Sequence, residues 1–177
     1  MMNSTPVGKI DREWPETFAT DELRLKWEFL TFLRITAVNK IAGLTPEQAA
    51  GAPLASSPLT TLTGIVKHLT AVERYWISII GGGVDLPNLW AGPDPEIDFL
   101  VTETDTPTTV VENYRAEWKL SERAIKGMYV SDKARGQRSD RKDVTIRWIL
   151  THLIQETARH VGHMDILREM ADGERGE

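Results

Sequence analysis

Four segments of the chain carry apolar side chains at intervals of three and four residues, and this pattern limits the possible folds more than any other feature. The spacing predicts helices over residues 22–42, 59–80, 107–128 and 145–171. No segment has the length and alternation of apolar and polar residues that would make a convincing strand. Amphipathic helices in this number pack most simply as a four-helix bundle, so the expected fold class is all-α.

The predicted helix ends carry the residues that begin and end helices. Asp21 and Thr145 are candidate N-caps, and Thr106 followed by Pro107 is a typical helix start. Gly43 follows the first predicted helix as a stop. In the second predicted helix, continuous 3.6-residue spacing places Trp76 on the core-facing stripe.

The longest connection, residues 84–105, contains three prolines and six acidic residues and shows no sustained period. A structureless connection of this length within one domain is usually functional or crosses the domain. We therefore expect it to carry the chain back along a helix, so that helices 59–80 and 107–128 run parallel. Trp90 within it is a candidate to cover a pocket, or alternatively packs on the outside of the bundle.

The domain organisation predicted from composition is simple. Residues 1–20 form an arm that packs through Trp14 and Phe18, residues 21–173 form a single domain, and residues 174–177 form a tail. The length of 177 residues fits one domain with a substantial core.

Charge and composition exclude several classes of function. The net charge of −5 argues against a nucleic-acid-binding surface. No apolar run approaches the roughly 20 residues of a membrane span, and the N-terminus lacks a signal-peptide pattern, so a cytoplasmic location is expected. The chain has no cysteine, which excludes disulfides, thiolate ligands and a cysteine nucleophile. Any thiol chemistry would need a thiol supplied from outside.

Three of the four histidines lie close together in the last predicted helix. On a helix, His152, Glu156, His160 and His163 follow each other at steps of four, four and three, so neighbouring Cβ atoms lie about 5–6 Å apart. Two such residues with His68 from another helix would give a three-ligand site with open positions, the form that catalytic zinc takes. The alternative is a set of surface hydrogen bonds or ion pairs. Spacing alone does not decide which helical pair would hold the ion.

Arg34 lies on the apolar stripe of the first predicted helix. An arginine there is typically ion-paired or extends its charged end to solvent. The alternative is an anion-binding role at a pocket, towards the carboxylate of a substrate.

Two segments resemble the signature segments of a known superfamily. They are Val66–Trp76 (VKHLTAVERYW) and Arg159–Glu169 (RHVGHMDILRE). Both resemble the DinB-like superfamily, and more closely its actinobacterial branch related to mycothiol-dependent maleylpyruvate isomerase. The resemblance extends from about Asp21 to Gly173. It implies an up-down-down-up four-helix bundle, often dimeric, with a divalent metal held between helices.

The resemblance also implies which residues bind the metal. The ligand positions of the superfamily fall on His68, Glu156 and His160, and a glutamate at the middle position is what the mycothiol-dependent branch shows. His163 falls where many members have glutamine, so it is expected beside the ligands. His152 lies about 12 Å along the helix axis from His160, so it is expected to line the pocket or to orient Glu156.

The function implied by the resemblance is a metal-dependent transferase or isomerase that uses a small thiol such as mycothiol. Two histidines and a carboxylate suit zinc, with nickel or iron as alternatives. A thiol bound to a divalent cation is deprotonated and would attack a small electrophilic substrate under the connection 84–105. The alternatives are a hydrolase that uses bound water, and a bundle that binds metal without catalysis. Partners expected besides the small-molecule substrate are limited to a second copy in a homodimer, with no nucleic acid and no membrane.

Overall fold

The computed structural model describes residues 6–16, 20–140 and 142–176. Its helices are α1 (Glu22–Ile41), α2 (Pro46–Ala49), α3 (Leu62–Glu73), a π-helix that continues α3 (Arg74–Gly81), α4 (Pro107–Ala124) and α5 (Ile146–Asp172). The extended pairing within the described ranges is limited to one isolated bridge between Lys133 and Thr145. The all-α prediction is therefore confirmed.

Side chains cap the helices at the predicted positions. Asp21 accepts a hydrogen bond from the backbone N–H of Arg24 at 3.0 Å. Thr145 accepts one from the backbone N–H of Trp148 at 3.3 Å. Such caps satisfy N–H groups that have no partner inside the helix, so they fix where each helix begins.

Contacts near the helix ends give the direction of each long helix. The start of α1 meets the start of α5, because Arg147 donates to Glu22 at 2.8 Å. Further along, Lys40 of α1 pairs with Asp165 of α5. These two helices therefore run parallel.

The inner pair of helices is also parallel. Lys67 near the start of α3 pairs with Asp105, just before α4, at 2.9 Å. Further along the chain, Arg74 pairs with Glu117 of α4 at 2.9 Å. Because His68 lies beside the later half of α5, α3 and α5 run in opposite directions. The bundle is thus up-down-down-up, and the connection 84–105 joins parallel helices as predicted.

A layer of buried polar side chains divides the core into two apolar clusters. Along each long helix, the layer falls between residues of one cluster and residues of the other. Its members are Arg34, Glu73, Glu117, Ser121 and Thr157. Arg34 donates to both carboxylate oxygens of Glu73, so the layer contains a fully buried ion pair.

The second predicted helix changes geometry at its midpoint. Regular helical spacing places Trp76 and Ile79 on the apolar stripe, but the structure buries Ile77 and Ile80 and leaves the other two half-buried. The reason is the π-helical segment Arg74–Gly81, whose wider turn rotates the later residues around the axis. A 3.6-residue period cannot reveal that rotation, which leaves Trp76 and Ile79 half-buried against the edge of the second apolar cluster instead of inside it.

Two predicted helix boundaries also differ from the structure. The third predicted helix extended to residue 128, whereas α4 ends at Ala124 and the chain turns at Gly127 with φ of 75°. Ile125 and Met128 remain buried after the helix ends, so the apolar spacing continues into the turn. The second predicted helix begins at Leu62 instead of residue 59.

The N-terminal arm contacts α1 through backbone hydrogen bonds of Ile10 with Asn39 and through Trp14. Trp14 contacts Phe29 and Phe32, with ring centroids 6.2 and 4.9 Å apart. Phe18, the other predicted contact, lies outside the described residues. Within the described part of the chain, no helix has the length and apolar character needed to cross a membrane.

Candidate metal centre

Antiparallel packing of α3 and α5 brings three potential ligands together. His68 lies in the second turn of α3, while Glu156 and His160 lie one turn apart on α5. One ligand atom from each falls within 4.8 Å of the others. Nε2 of His160 is 3.1 Å and Nε2 of His68 is 3.5 Å from the same oxygen, Oε1 of Glu156. The three side chains could hold a metal ion between them.

The hydrogen bonding of the His68 imidazole fits a bound cation. Nδ1 of His68 lies 2.9 Å from Oδ2 of Asp98. An ionised carboxylate only accepts hydrogen bonds, so we assign the proton to Nδ1 and the lone pair to Nε2. That Nε2 is buried and, among the described residues, has no hydrogen-bond partner. An unpartnered buried nitrogen beside a carboxylate oxygen is what a metal ligand requires.

The side chains of the three potential ligands are partly exposed to solvent. The exposed fraction of the side chain is 15% for His68, 22% for Glu156 and 12% for His160. A structural zinc site is closed by four protein ligands, whereas a catalytic site keeps a position open. Three ligands that remain partly exposed match the open form.

The protonation states at neutral pH also suit a cation. Burial lowers the pKa of His160, and the neighbouring His68 adds to this effect. Burial alone would raise the pKa of Glu156, but the imidazoles of His160 and His68 outweigh it and bring that pKa below its usual value. A neutral imidazole and an ionised carboxylate are the forms that bind metal.

The other two histidines of α5 lie outside this group of three. His163 is exposed, and its ring meets the ring of His160 edge-on at 5.7 Å. His152 stacks on Trp148 at 5.1 Å and meets Trp76 edge-on at 4.9 Å. Burial lowers the pKa of His152. His152 therefore packs between two indole rings one turn before Glu156.

The remaining two predicted site residues, Arg34 and Trp90, have partners outside the group of three potential ligands. Arg34 is 1% exposed and bound by Glu73, as the ion-pair interpretation expects. An external carboxylate would have to displace Glu73 from the core to reach it. Trp90 places its ring 4.9 Å from Nζ of Lys67 on α3. The structure does not bring Arg34 or Trp90 together with the three potential ligands.

The sequence reasoning missed two residues of the connection that touch the centre. Asp98 accepts the hydrogen bond from His68, and Phe99 stacks on the His68 ring at 4.0 Å with an interplanar angle of 16°. The predicted crossover indicated that the connection passes over α3. It contains six acidic residues without a period, however, and no signal distinguished Asp98 from the other five.

Comparison with known protein families shows to which family the chain belongs. Residues 27–173 match the family model described as mycothiol-S-transferase. The chain belongs to the mycothiol-S-transferase family. This family is part of the DinB-like superfamily, so the resemblance noted in the sequence is confirmed. No curated protein matches the chain at a significant level. Membership in the mycothiol-S-transferase family supports a thiol-related transferase.

Proposed function

We propose that this protein is a divalent-metal-dependent transferase that joins a low-molecular-weight thiol such as mycothiol to a small electrophile. The observation that carries the proposal is the group formed by His68, Glu156 and His160, whose donor atoms converge in a chain of this family. Zinc is the expected metal because two imidazoles and a carboxylate suit it, and nickel or iron are the alternatives.

The chemistry divides between the metal, the thiol and the protein. When bound, a divalent cation supplies the positive charge that holds a thiol as its thiolate at neutral pH. The protein contributes neutral imidazoles from His68 and His160 and the negative charge of Glu156. Phe99 covers one face of the His68 ring and keeps water from it. The thiol sulfur would form the new bond to the electrophile, whose π bond or bond to a leaving group breaks and takes the electron pair, and the thiol proton is released to solvent.

The absence of cysteine supports an external thiol as the nucleophile. The sequence contains no cysteine, so no protein thiol can attack an electrophile or close the site as a thiolate ligand. The partial exposure of the three ligand side chains supports access of such a thiol from solvent. Both features favour an added sulfur ligand over a purely structural ion.

The experiment that tests the proposal measures metal content and thiol dependence together. Purified protein is expected to hold about one divalent ion per chain and to consume an electrophile only when a low-molecular-weight thiol is added. Removing the metal with a chelator should abolish turnover, and returning zinc should restore it. Hydrolysis of the same substrates without any thiol would contradict the transferase and favour a metal-dependent hydrolase.

We further propose that the protein acts in the cytoplasm as a homodimer, on small molecules and not on nucleic acid. The acidic net charge of −5 supports the last point. Light scattering of purified protein tests the dimer, because it reports twice the mass of one chain if the proposal is right.

A further inference from the structure

One face of α3 holds the end of the long connection against the bundle. Gly64, Lys67 and His68 lie three and four residues apart, so they share this face. Lys67 is 3% exposed, and its Nζ donates to the backbone oxygen of Leu100 at 2.6 Å. It also donates to Asp105 at 2.9 Å. The connection is thus anchored by a buried lysine next to a potential metal ligand.

The anchoring is close enough to exclude any side chain at Gly64. A Cβ added there would lie 2.6 Å from the backbone oxygen of Phe99. Contacts below 3.0 Å are essentially never found for a Cβ. The connection could therefore not lie this close to α3 if residue 64 were anything but glycine. The backbone at Phe99 is therefore fixed relative to the helix that carries His68.

This anchoring places two side chains around the His68 imidazole. Oδ2 of Asp98 lies 2.9 Å from Nδ1, and the Phe99 ring covers one face at 4.0 Å. The hydrogen bond restricts the rotation of the ring, and the stacking contact restricts its tilt. Together they direct Nε2 towards Glu156.

Asp98 is not needed to hold the connection in place. Its other oxygen, Oδ1, is buried and has no hydrogen-bond partner within the described residues. The backbone is held through Lys67, Leu100 and Asp105 instead, and Asp105 also accepts from the N–H of Thr102 at 2.8 Å. The role of Asp98 that remains is its bond to His68.

We propose that Asp98 is a positioning residue, which keeps the His68 proton on Nδ1 and so presents the Nε2 lone pair to the metal. The proposal rests on the metal centre proposed above. A histidine without such a partner divides its proton between the two nitrogens, and the form protonated on Nε2 cannot bind a cation there. Loss of an acceptor of this kind typically weakens metal binding about 10–100-fold.

The first test compares the affinity for zinc of matched variants. Asp98→Ala is expected to raise the dissociation constant about 10–100-fold, measured by competition with a chelating indicator. Asp98→Asn should lose less, because its amide oxygen can still accept from Nδ1. The control is Asp94→Ala, which removes an exposed carboxylate of the same connection that caps the N–H of Glu96. Equal affinity of wild type and Asp98→Ala would overturn the proposal.

The second test observes the tautomer directly in metal-free protein. Nitrogen-15 spectra of the wild type and Asp94→Ala are expected to show His68 protonated at Nδ1 and bare at Nε2. In Asp98→Ala the two nitrogens should become more alike, with the His68 signals assigned by their loss in His68→Gln. In Asp98→Asn, which is nearly isosteric and keeps an acceptor oxygen, the change should have the same direction and be smaller, so this variant still reports on the tautomer if the alanine variant does not fold. Identical His68 signals in wild type and both Asp98 variants would overturn the role.

The two tests separate this inference from the proposed function. A wild-type protein that binds no divalent ion would overturn the metal centre, and the role of Asp98 with it. A wild-type protein that binds zinc with an affinity unchanged in Asp98→Ala would overturn only the role of Asp98.

Discussion

At the scale of single residues, the hydrogen-bond partners of each imidazole separate the potential ligands from their neighbours. His68 and His160 each approach Glu156 through Nε2. His152 instead packs against two indole rings. Helical spacing predicted that these residues share a face but left the choice of pair open, and only the family resemblance pointed to Glu156 and His160. Asp98 could not be predicted, because its contact depends on the path of an aperiodic connection.

Substitution of the potential ligands tests their assignment. His68→Ala and His160→Ala are each expected to lose most of the bound metal, because two remaining ligands hold a cation weakly. His152→Ala and His163→Ala should retain it, since neither ring belongs to the converging group. Metal content after dialysis is the measurement. A site emptied by His152→Ala but not by Glu156→Ala would show that the assignment is wrong.

The lowered pKa values of His152 and His160 predict a pH-dependent stability in the metal-free protein. The unfolded chain takes up protons near pH 6.5 that the folded chain resists. The contribution of these two histidines to the free energy of unfolding is therefore complete above that pH. It is lost as the pH falls towards and through their folded-state pKa values. The lowered pKa of Glu156 likewise makes the folded protein lose stability as the pH falls, but at more acidic pH.

Denaturant titrations at pH 7.5 and 5.5 measure this effect as a change in the free energy of unfolding. His152→Phe is expected to reduce the loss on acidification, because one buried imidazole no longer resists a proton. Higher stability of the metal-free wild type at pH 5.5 than at pH 7.5 would contradict the interpretation.

At the scale of the elements, the close contact between α3 and the connection matters most. The helices and their caps were predictable, because spacing and capping residues are local signals. The π-helix Arg74–Gly81 and the anchoring at Lys67 were not, because both depend on contacts between distant segments. The apolar stripe predicted Trp76 to face the core, and the structure leaves it half-buried against the second apolar cluster, with its ring also against His152 and Trp148.

Gly64→Ala tests that contact. Alanine is favoured over glycine inside a helix by about 1 kcal/mol, but the new Cβ would lie 2.6 Å from the backbone oxygen of Phe99. Overpacking of this kind costs about 1–3 kcal/mol, so the variant should be destabilised or neutral and should bind metal more weakly. The control is Gly162→Ala on α5, where a Cβ meets nothing within 4 Å and a stability gain is expected. An equal gain in both variants would contradict the close contact.

At the scale of the whole molecule, the bundle is organised around its buried polar layer. Glu73 binds Arg34, and Glu117 binds Arg74 and Ser78. This layer connects α1, α3 and α4 near the middle of the bundle, between the two apolar clusters. The sequence predicted four helices and their directions. It did not predict the pairing of charges inside the core, because an arginine on an apolar stripe has several possible partners.

Removing one partner of the buried pair should destabilise the fold strongly. Arg34→Met leaves the Glu73 carboxylate buried without its cation, which typically costs about 3–5 kcal/mol. The double variant Arg34→Met with Glu73→Leu should recover most of that loss, because no unpaired charge remains. Free energies of unfolding from denaturant titration give both values. A double variant no more stable than Arg34→Met would contradict the account of this layer.

The measurement that tests the central claim most directly is the spectrum of the cobalt-substituted protein with and without thiol. Cobalt replaces zinc in such sites, and sulfur coordination adds an intense charge-transfer band in the near ultraviolet. We predict that band when a low-molecular-weight thiol is added, together with turnover of an electrophile that depends on the same thiol. The band should disappear in Glu156→Ala and His160→Ala. A cobalt spectrum that does not respond to any biological thiol would contradict the account.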